Sequence, residues 1–415
     1  MSEDEKTSGM SFFARPNVKM EAIPVAGGIP FGMESVSNGE LGISGAYCAW
    51  GASYNNQELP ALVSKRLGEN LPDSDIMNLS ELGFLSRHHI DNLSDAEHVE
   101  VELEVGTRLL KQAILANGWD ATEVEGVLIG MSAPVSPDYV QEISRRAGIR
   151  SDALMVSVHK ACDGSMGALQ LALNPAISEP GQLNVAKQLA GKKVLVGGIE
   201  GLSRFTFHAK DKNALQLFGN GAGVIGVIPG VTMKLMVGKS FENYDEEGLL
   251  QVRMFYPHSR KISAGKTMLE IEQSAPNQLR VAGLMHEPAD GLPIVMAGLM
   301  GMVKLFVRSG VQVVSEVYKE YSALMEKLGT PDRKIDIGIV HHANYKINLL
   351  KAKQLAKEGI VYPMPWLLND FGNVSAASCM IAFLRQLPNI KPGDHVMFDG
   401  FGAGTYYDVM AVSMG

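Results

Sequence analysis

The chain has 415 residues, 46% of them hydrophobic and 20% charged, which suits a soluble globular protein with one large α/β unit or two ordinary domains. The formal net charge of −8 argues against nucleic acid as the main partner, and no apolar run reaches the roughly 18 residues of a membrane-spanning helix. Three cysteines, at positions 48, 162 and 379, give neither a disulfide framework nor a metal-ligand spacing, which favours a cytoplasmic location. First in chain order, the polar residues 1–20 are predicted to form a flexible tail.

Predicted strands alternate with predicted helices along the rest of the chain. Helices are expected over residues 101–119 and 306–329, because apolar residues recur there at intervals of three and four. This alternation predicts an α/β layered fold. The buried strands are predicted from short apolar runs bounded by glycine, aspartate or lysine, namely GVLIGMSA (126–133), KKVLVGGIE (192–200), GAGVIGVIP (221–229), IDIGIVHHA (335–343) and HVMFDGFGA (395–403).

A weak internal repeat indicates two similar halves. LFGNGAGVIGVI (217–228) and DGFGAGTYYDVMAV (399–412) share a glycine-rich core followed by an apolar strand. Each follows an upstream acidic turn and buried strand, so the same order of elements occurs twice. We therefore predict four regions, namely the tail at 1–20, an N-terminal half at 21–230, an irregular connection at 231–290 and a C-terminal half at 291–415.

The stretch HKACDGSMGAL (159–169) holds Cys162 between a strand-like run and a helix-like segment. A thiol at such a junction meets the unsatisfied N–H groups of the helix, which favour the thiolate. The nearby glycines allow a thioester to approach the backbone closely. On local sequence alone, however, a buried structural cysteine is the preferred interpretation.

A family resemblance reverses that preference. HKACDGSMGALQLAL (159–173) resembles the nucleophile segment of the thiolase superfamily, especially 3-oxoacyl-(acyl carrier protein) synthase III. VHHANYKINLL (340–350) is similar to that family's Pro-His-Gln-Ala-Asn segment, and FGNVSAAS (371–378) to its Gly-Asn-Thr-Ser-Ala-Ala-Ser segment. Further segments in family order are GFLSRHHI (83–90), LFGNGAGV (217–224), MAGLMGMVKL (296–305) and GFGAG (400–404).

The resemblance implies a thiolase-like fold of two α/β halves with a five-layered α-β-α-β-α core. It also implies that Cys162 takes up an acyl group, with His341 and Asn373 as its partners. A malonyl-type donor would then lose carbon dioxide, and His341 and Asn373 would donate hydrogen bonds to the thioenolate oxygen. The thioenolate would attack the acyl group on Cys162, while the backbone N–H groups of Cys162 and Ala403 would stabilise the tetrahedral intermediate.

One departure from the family concerns coenzyme A. Family members hold its nucleotide with a tryptophan and an arginine, whereas Met77 and Glu81 occupy the aligned positions here. A donor carried on acyl carrier protein therefore gains support. The candidate lysines for binding the acidic carrier protein or coenzyme A are Lys212, Lys304, Lys346 and Lys353, for which solvated helix faces are the equally weighted alternative.

We predict a synthase III-like condensing enzyme that is a homodimer, uses no cofactor beyond its thioester substrates and has no metal site. His341 and His342 are adjacent, but neighbours on a strand point to opposite faces, so one pair rarely supplies two metal ligands. A Cys-dependent acyltransferase and a type III polyketide synthase-like enzyme remain as alternatives on the same fold. A non-catalytic acyl-binding partner subunit is the alternative from another class.

Overall fold

The computed structural model describes residues 7–21, 25–90, 93–132, 135–177, 183–209, 211–242, 269–283, 303–402 and 406–415. None of the helices in these ranges combines the length and the apolarity that a bilayer span requires. Residues 296–302 of the segment MAGLMGMVKL and Ala403 of the GFGAG loop lie outside the described residues.

The described residues contain sixteen strands, which form two main sheets and two small pairs. The first sheet has eight strands in the order β11-β12-β7-β6-β8-β9-β3-β2, and the second has four in the order β10-β16-β15-β13. Strands β1 and β14 pair with each other, as do β4 and β5. The strands are β1 Met10–Phe12, β2 Phe31–Asn38, β3 Ile43–Trp50, β4 Ala52–Asn55, β5 Ser86–His89, β6 Gly126–Gly130, β7 Leu154–His159, β8 Val194–Glu200, β9 Gly221–Val227, β10 Met233–Glu242, β11 Leu269–Ala275, β12 Gln278–Gly283, β13 Ile337–Val340, β14 Met364–Trp366, β15 His395–Gly402 and β16 Tyr406–Met414.

The helices lie between and outside the two sheets. The longest begins at a capping box, in which Ser94 accepts a hydrogen bond from the Glu97 N–H and the Glu97 carboxylate accepts one from the Ser94 N–H. The α-helices are α1 Leu59–Leu67, α2 Asp95–Ala116, α3 Tyr139–Ala147, α4 Gly164–Leu173, α5 Val185–Leu189, α6 Leu202–Ala209, α7 Lys212–Leu217, α8 Gly310–Lys327, α9 Tyr345–Lys357 and α10 Ser378–Gln386, with a π-helix at Val303–Ser309 and 3₁₀ turns at Ala26–Gly28, Asp73–Asp75, Ala121–Glu123, Ala161–Asp163, Ser375–Ala377 and Leu387–Asn389.

Two central helices, α4 and α10, form the middle layer of the molecule. Both contact strands of the eight-stranded and of the four-stranded sheet, and all ten residues of α4 are buried. Helices α2 and α3 cover the outer face of the first sheet, and α8 covers the second. The five-layered α-β-α-β-α arrangement is therefore confirmed, and the predicted strands and helices fall within or next to observed ones.

The tail and the connecting region differ from the sequence-based expectation. Within residues 1–20, β1 pairs in parallel with β14, and Met10 is buried in the core, so this part is an ordered strand and not a free tail. Within 231–290, β10 pairs with β16, while β11 and β12 extend the first sheet beside β7. Strands β10 and β11 lie at sheet edges. Edge strands carry polar residues, so the sequence did not show the continuous apolar run of a buried strand. The division into two halves stays a prediction.

Candidate active site

The nucleophile candidate lies on a sharp turn between β7 and the buried helix α4. Ala161 has a φ of +48°, a left-handed conformation that non-glycine residues rarely adopt, and it starts the 3₁₀ turn that carries Cys162. The thiol is half-buried at the start of α4, where the N-terminal peptide dipoles favour negative charge. The turn therefore presents the thiol to the Ser375 hydroxyl.

A second turn of the same design faces the first. Ser375 has a φ of +44° and begins the 3₁₀ turn that leads into α10. Its hydroxyl donates to the Cys162 Sγ at 3.2 Å. Its backbone N–H donates to the Asn373 Oδ1 at 2.9 Å, while the Asn373 Nδ2 lies 3.4 Å from the Ala343 carbonyl oxygen. Cys162 and Asn373 are thus joined through a single serine.

His341 reaches the same place from the end of β13. Its backbone N–H donates to the Asp399 carbonyl oxygen at 3.0 Å, and its ring lies edge-on to Phe401 with centroids 5.0 Å apart. The Nδ1 atom lies 2.5 Å from the Ser378 hydroxyl, at the start of α10. The structure therefore brings Cys162, His341 and Asn373 to the facing turns through Ser375 and Ser378.

Ser378 and burial set the environment of the imidazole. The Ser378 hydroxyl oxygen accepts the His342 backbone N–H at 3.2 Å and lies 2.5 Å from His341 Nδ1. Where the Ser378 hydroxyl donates to Nδ1, the ring hydrogen is on Nε2. Burial, aided by the charges of His342 and Lys351, lowers the pKa of His341 to about 3, which favours the neutral imidazole.

Three other histidines, His342, His88 and His89, have structural partners. The His342 Nδ1–H donates to the Val340 carbonyl oxygen at 2.8 Å, and its Nε2 accepts the Leu367 N–H at 2.9 Å. His88 and His89 are buried, with Nδ1 atoms 3.4 Å from the Gly51 carbonyl oxygen and 3.3 Å from the Ser203 hydroxyl, respectively. Among the described residues, no group of three or more His, Cys, Asp or Glu is placed to hold a metal ion.

The end of β15 closes over the nucleophile turn. A Cβ atom at Gly402 would come within 3.0 Å of the Cys162 backbone nitrogen and 2.9 Å of the Lys160 carbonyl oxygen, so only glycine permits this approach. The predicted oxyanion donor Ala403 follows directly but lies outside the described residues, so its role stays a prediction.

Buried ion pairs that the sequence analysis missed flank the site. Lys160, two residues before Cys162, lies 2.5 Å from Asp408 on β16. Lys351 on α9 lies 2.6 Å from Asp399, which precedes the glycine-rich loop. Burial and the Asp408 charge raise the pKa of Asp163 well above its usual range. These charges come from four separate segments, so no local sequence pattern announces them.

Three of the predicted lysines, Lys212, Lys346 and Lys353, lie on helices α7 and α9. Lys212 forms an exposed ion pair with Asp75 at 2.7 Å, and Lys346 pairs with Glu81. Lys353 is half-buried on α9, and the side chain of Lys304 lies outside the described residues. The carrier-binding role of all four stays a prediction.

Four further polar residues of the site escaped the sequence analysis, although they lie in or beside segments it singled out. Ser375 and Ser378 belong to FGNVSAAS, Glu200 ends KKVLVGGIE, and Ser132 is the next-to-last residue of the run at 126–133. Their contacts join residues distant in sequence. A polar residue near the end of an apolar strand run is the sequence signal that could have identified Ser132 and Glu200.

Comparison with known proteins finds similarity to proteins named synthase III, in sequence and in fold. Residues 325–414 match the model of the 3-oxoacyl-[acyl-carrier-protein (ACP)] synthase III C terminal. The beta-ketoacyl-[acyl-carrier-protein] synthase III 1 of Halalkalibacterium halodurans is 27% identical over 310 residues, 73% of this chain and 80% of that protein. The crystal structure of 3-oxoacyl-[acyl-carrier-protein] synthase III from Aquifex aeolicus has a TM-score of 0.57 at 18% identity, covering 94% of this chain and 99% of that one.

A bacterial type III polyketide synthase has the same fold. The 1,3,6,8-tetrahydroxynaphthalene synthase of Streptomyces coelicolor gives a TM-score of 0.58 at 13% identity, covering 89% of this chain and 97% of that one. The sequence relatives and the C-terminal match, by contrast, both carry the synthase III name. The chain is therefore similar to synthase III enzymes, and it has the fold that they share with the type III polyketide synthase.

Proposed function

We propose that the protein catalyses a decarboxylative Claisen condensation between an acyl group held on Cys162 and a malonyl-type thioester. The observation that carries the proposal is the link between the two facing turns, in which Ser375 contacts the Cys162 thiol and also fixes the Asn373 amide. This link gathers a nucleophile and an amide donor within one site. His341 adds an Nε2–H donor through Ser378.

The reaction has two stages. In the first, the Cys162 thiolate attacks the acyl thioester, a new C–S bond forms and the donor's thiolate leaves. In the second, the malonyl-type donor loses carbon dioxide, and charge develops on its thioester oxygen. The His341 Nε2–H and the Asn373 amide donate to that oxygen, and each such donor contributes about 3 kcal/mol to lowering the barrier.

The state of His341 supports this assignment. A neutral imidazole keeps its Nε2 hydrogen throughout the ordinary pH range, so it donates without having to be protonated first. A second donor, the Asn373 amide, carries no charge that could titrate. Stabilisation of the thioenolate therefore does not depend on an ionisation near neutral pH.

For the acyl donor we propose delivery on an acyl carrier protein. Glu81 stands where the family resemblance puts an arginine for coenzyme A, and its carboxylate pairs with Lys346 on the protein surface. A carboxylate there repels nucleotide phosphates. We further propose that the protein is a cytoplasmic homodimer that needs no cofactor besides its thioester substrates.

Intact-protein mass spectrometry after incubation with acyl-CoA and acyl-carrier thioesters tests the first stage. We expect an acyl adduct on Cys162, its loss in C162A, and none on the buried thiol of Cys379, which serves as an internal control. Absence of any adduct, with Cys162 still open to iodoacetamide, would support the non-catalytic partner subunit.

A malonyl donor added to the acylated enzyme tests the second stage. We expect Asn373→Ala to keep acylation but to slow condensation about 100-fold. If this variant keeps full turnover, the protein is a Cys-dependent acyltransferase, and N373A would leave transfer to an alcohol or amine intact. Analysis of the products after repeated malonyl additions would identify a polyketide synthase-like enzyme.

A further inference from the structure

We propose that Glu200 stores the proton of the Cys162 thiol, received through the hydroxyl groups of Ser375 and Ser132. This inference rests on the proposed nucleophilic role of Cys162. It assigns a positioning and proton-holding role to a carboxyl group that does not touch the substrate.

A continuous chain of hydrogen bonds, here called the row, connects the Cys162 thiol to the Glu200 carboxyl group. The Ser375 hydroxyl lies 3.2 Å from the Cys162 Sγ and is hydrogen-bonded to the Ser132 hydroxyl, which lies 2.5 Å from the Glu200 Oε1. Glu200, Ser132 and Ser375 are at most 2% exposed, so bulk water does not interrupt the row. Ser132 follows β6 and Glu200 ends β8, so both positions are set by neighbouring strands of one sheet.

The row can hold its hydrogens in two ways. With Glu200 ionised, the thiol donates to Ser375, Ser375 donates to Ser132, and Ser132 donates to the carboxylate. With Glu200 protonated, every bond reverses and Ser375 donates to the thiolate. Each hydroxyl has one hydrogen and can accept another, so three short proton shifts convert one arrangement into the other.

The acidity of Glu200 suits this exchange. Burial raises its pKa to about 8, although the backbone N–H groups of Ser132 and Ala376 donate to its Oε1 at 2.7 and 3.1 Å. A free thiol has a pKa of about 8.5 and a free glutamic acid one of about 4.3, so burial brings the two groups close in proton affinity. His341 is a poor alternative acceptor, because its pKa lies at about 3 and its Nδ1 is bonded to Ser378.

The proton balance closes over the two stages. The thiol proton moves to Glu200, the thiolate attacks the donor, and the expelled donor thiolate takes a proton from water. During condensation the thioenolate carbon forms a C–C bond to the acyl carbon, and the C–S bond to Cys162 breaks. The released Cys162 thiolate then recovers its proton from Glu200 along the same two hydroxyls.

Other charged groups also face the nucleophile turn. Lys160 and Asp163 flank Cys162, while Asp408 approaches from β16 and Asp399 from β15. The imidazole of His341 contacts Ser378, at the end of the second turn. The two lysines of the neighbourhood pair with Asp408 and Asp399, so each cation is offset by a carboxylate. None of these groups changes in the variants below.

The test is the pH profile of iodoacetamide alkylation at Cys162, measured on the full chain without substrate by peptide mass spectrometry. In the wild type we expect the rate to rise in two steps with a plateau between them, because a coupled pair loses its protons one at a time. E200Q should give a single step. The matched control E102Q changes another buried glutamate, which pairs with Arg204, and should keep both steps.

A second variant separates a relay from simple charge repulsion. S132A interrupts the row while keeping the Glu200 carboxyl, so we expect the plateau to disappear here as well. Two steps in S132A, or an unchanged profile in E200Q, would overturn the proposal, provided that circular dichroism shows folded protein. Because alkylation needs no acyl donor, this outcome is separable from a failure of the condensation proposal, which would appear as the absence of any acyl adduct.

Discussion

Removing the Ser378 hydroxyl should separate the two stages of the reaction. Ser378 is fully buried, lies 2.5 Å from His341 Nδ1 and accepts the His342 N–H at 3.2 Å. In Ser378→Ala the imidazole loses the partner that keeps its hydrogen on Nε2. A hydrogen bond of this kind contributes about 1–2 kcal/mol, which corresponds to a decrease of about 5- to 30-fold in the condensation rate.

The assay loads Cys162 with an acyl donor, follows release of the free carrier thiol, and then follows carbon dioxide release after a malonyl donor is added. Acylation should be unchanged, because the hydroxyl that donates to the Cys162 thiol belongs to Ser375, whereas the Ser378 hydroxyl is hydrogen-bonded to His341 and His342. Ser144→Ala is the matched control, since Ser144 is equally buried and its hydroxyl has no hydrogen-bond partner in the part of the chain that the structure describes. Equal losses in both stages, or no loss in condensation, would refute the reasoning.

Three further predictions concern ion pairs and titratable groups. Arg385 and Asp370 form a buried bidentate ion pair at 2.6 and 2.8 Å. Asp370→Asn should therefore lower the free energy of unfolding, measured by urea denaturation, by about 3–5 kcal/mol. A loss below about 1 kcal/mol would contradict this expectation. Because the pKa of His341 is lowered to about 3, condensation by preloaded enzyme should be flat from about pH 5 to 8, and an inflection near pH 6.5 would show that the imidazole titrates normally. The same shift makes His341 reduce stability as the pH falls from about 6.5 towards 3, since only the unfolded chain takes up the proton.

The α/β alternation could be predicted from the sequence because it depends on local patterns, and the five layers and the three candidate site residues came from the family resemblance. The strand runs carry their apolar character within a few residues, and α2 and α8 show helical spacing. Cys162, His341 and Asn373 lie in segments whose order along the chain resembles a known family. Each of these signals is readable without knowing what lies opposite in space.

The supporting groups could not be predicted, because their meaning arises from contacts between distant segments. Ser132 and Ser375 are 243 positions apart, and Lys160 and Asp408 are 248 apart. Serine and glutamate are ordinary at the ends of strands, so nothing in their own segments distinguishes them. The strand at residues 10–12 escaped for the same reason, since its partner β14 lies more than 350 positions away.

The paired turns explain how two segments of the same design build one asymmetric site. Ala161 and Ser375 occupy the same position in their turns, and each adopts a left-handed conformation that costs about 1–3 kcal/mol. In the first turn the next residue is Cys162, whose thiol contacts the Ser375 hydroxyl. In the second turn it is Ala376, whose N–H instead donates to Glu200. One turn thus supplies the thiol, while the other supplies the hydroxyl that contacts it and a backbone donor that positions the carboxyl group behind it. We infer that both turns keep their strained conformation because it holds Sγ at 3.2 Å from the Ser375 hydroxyl.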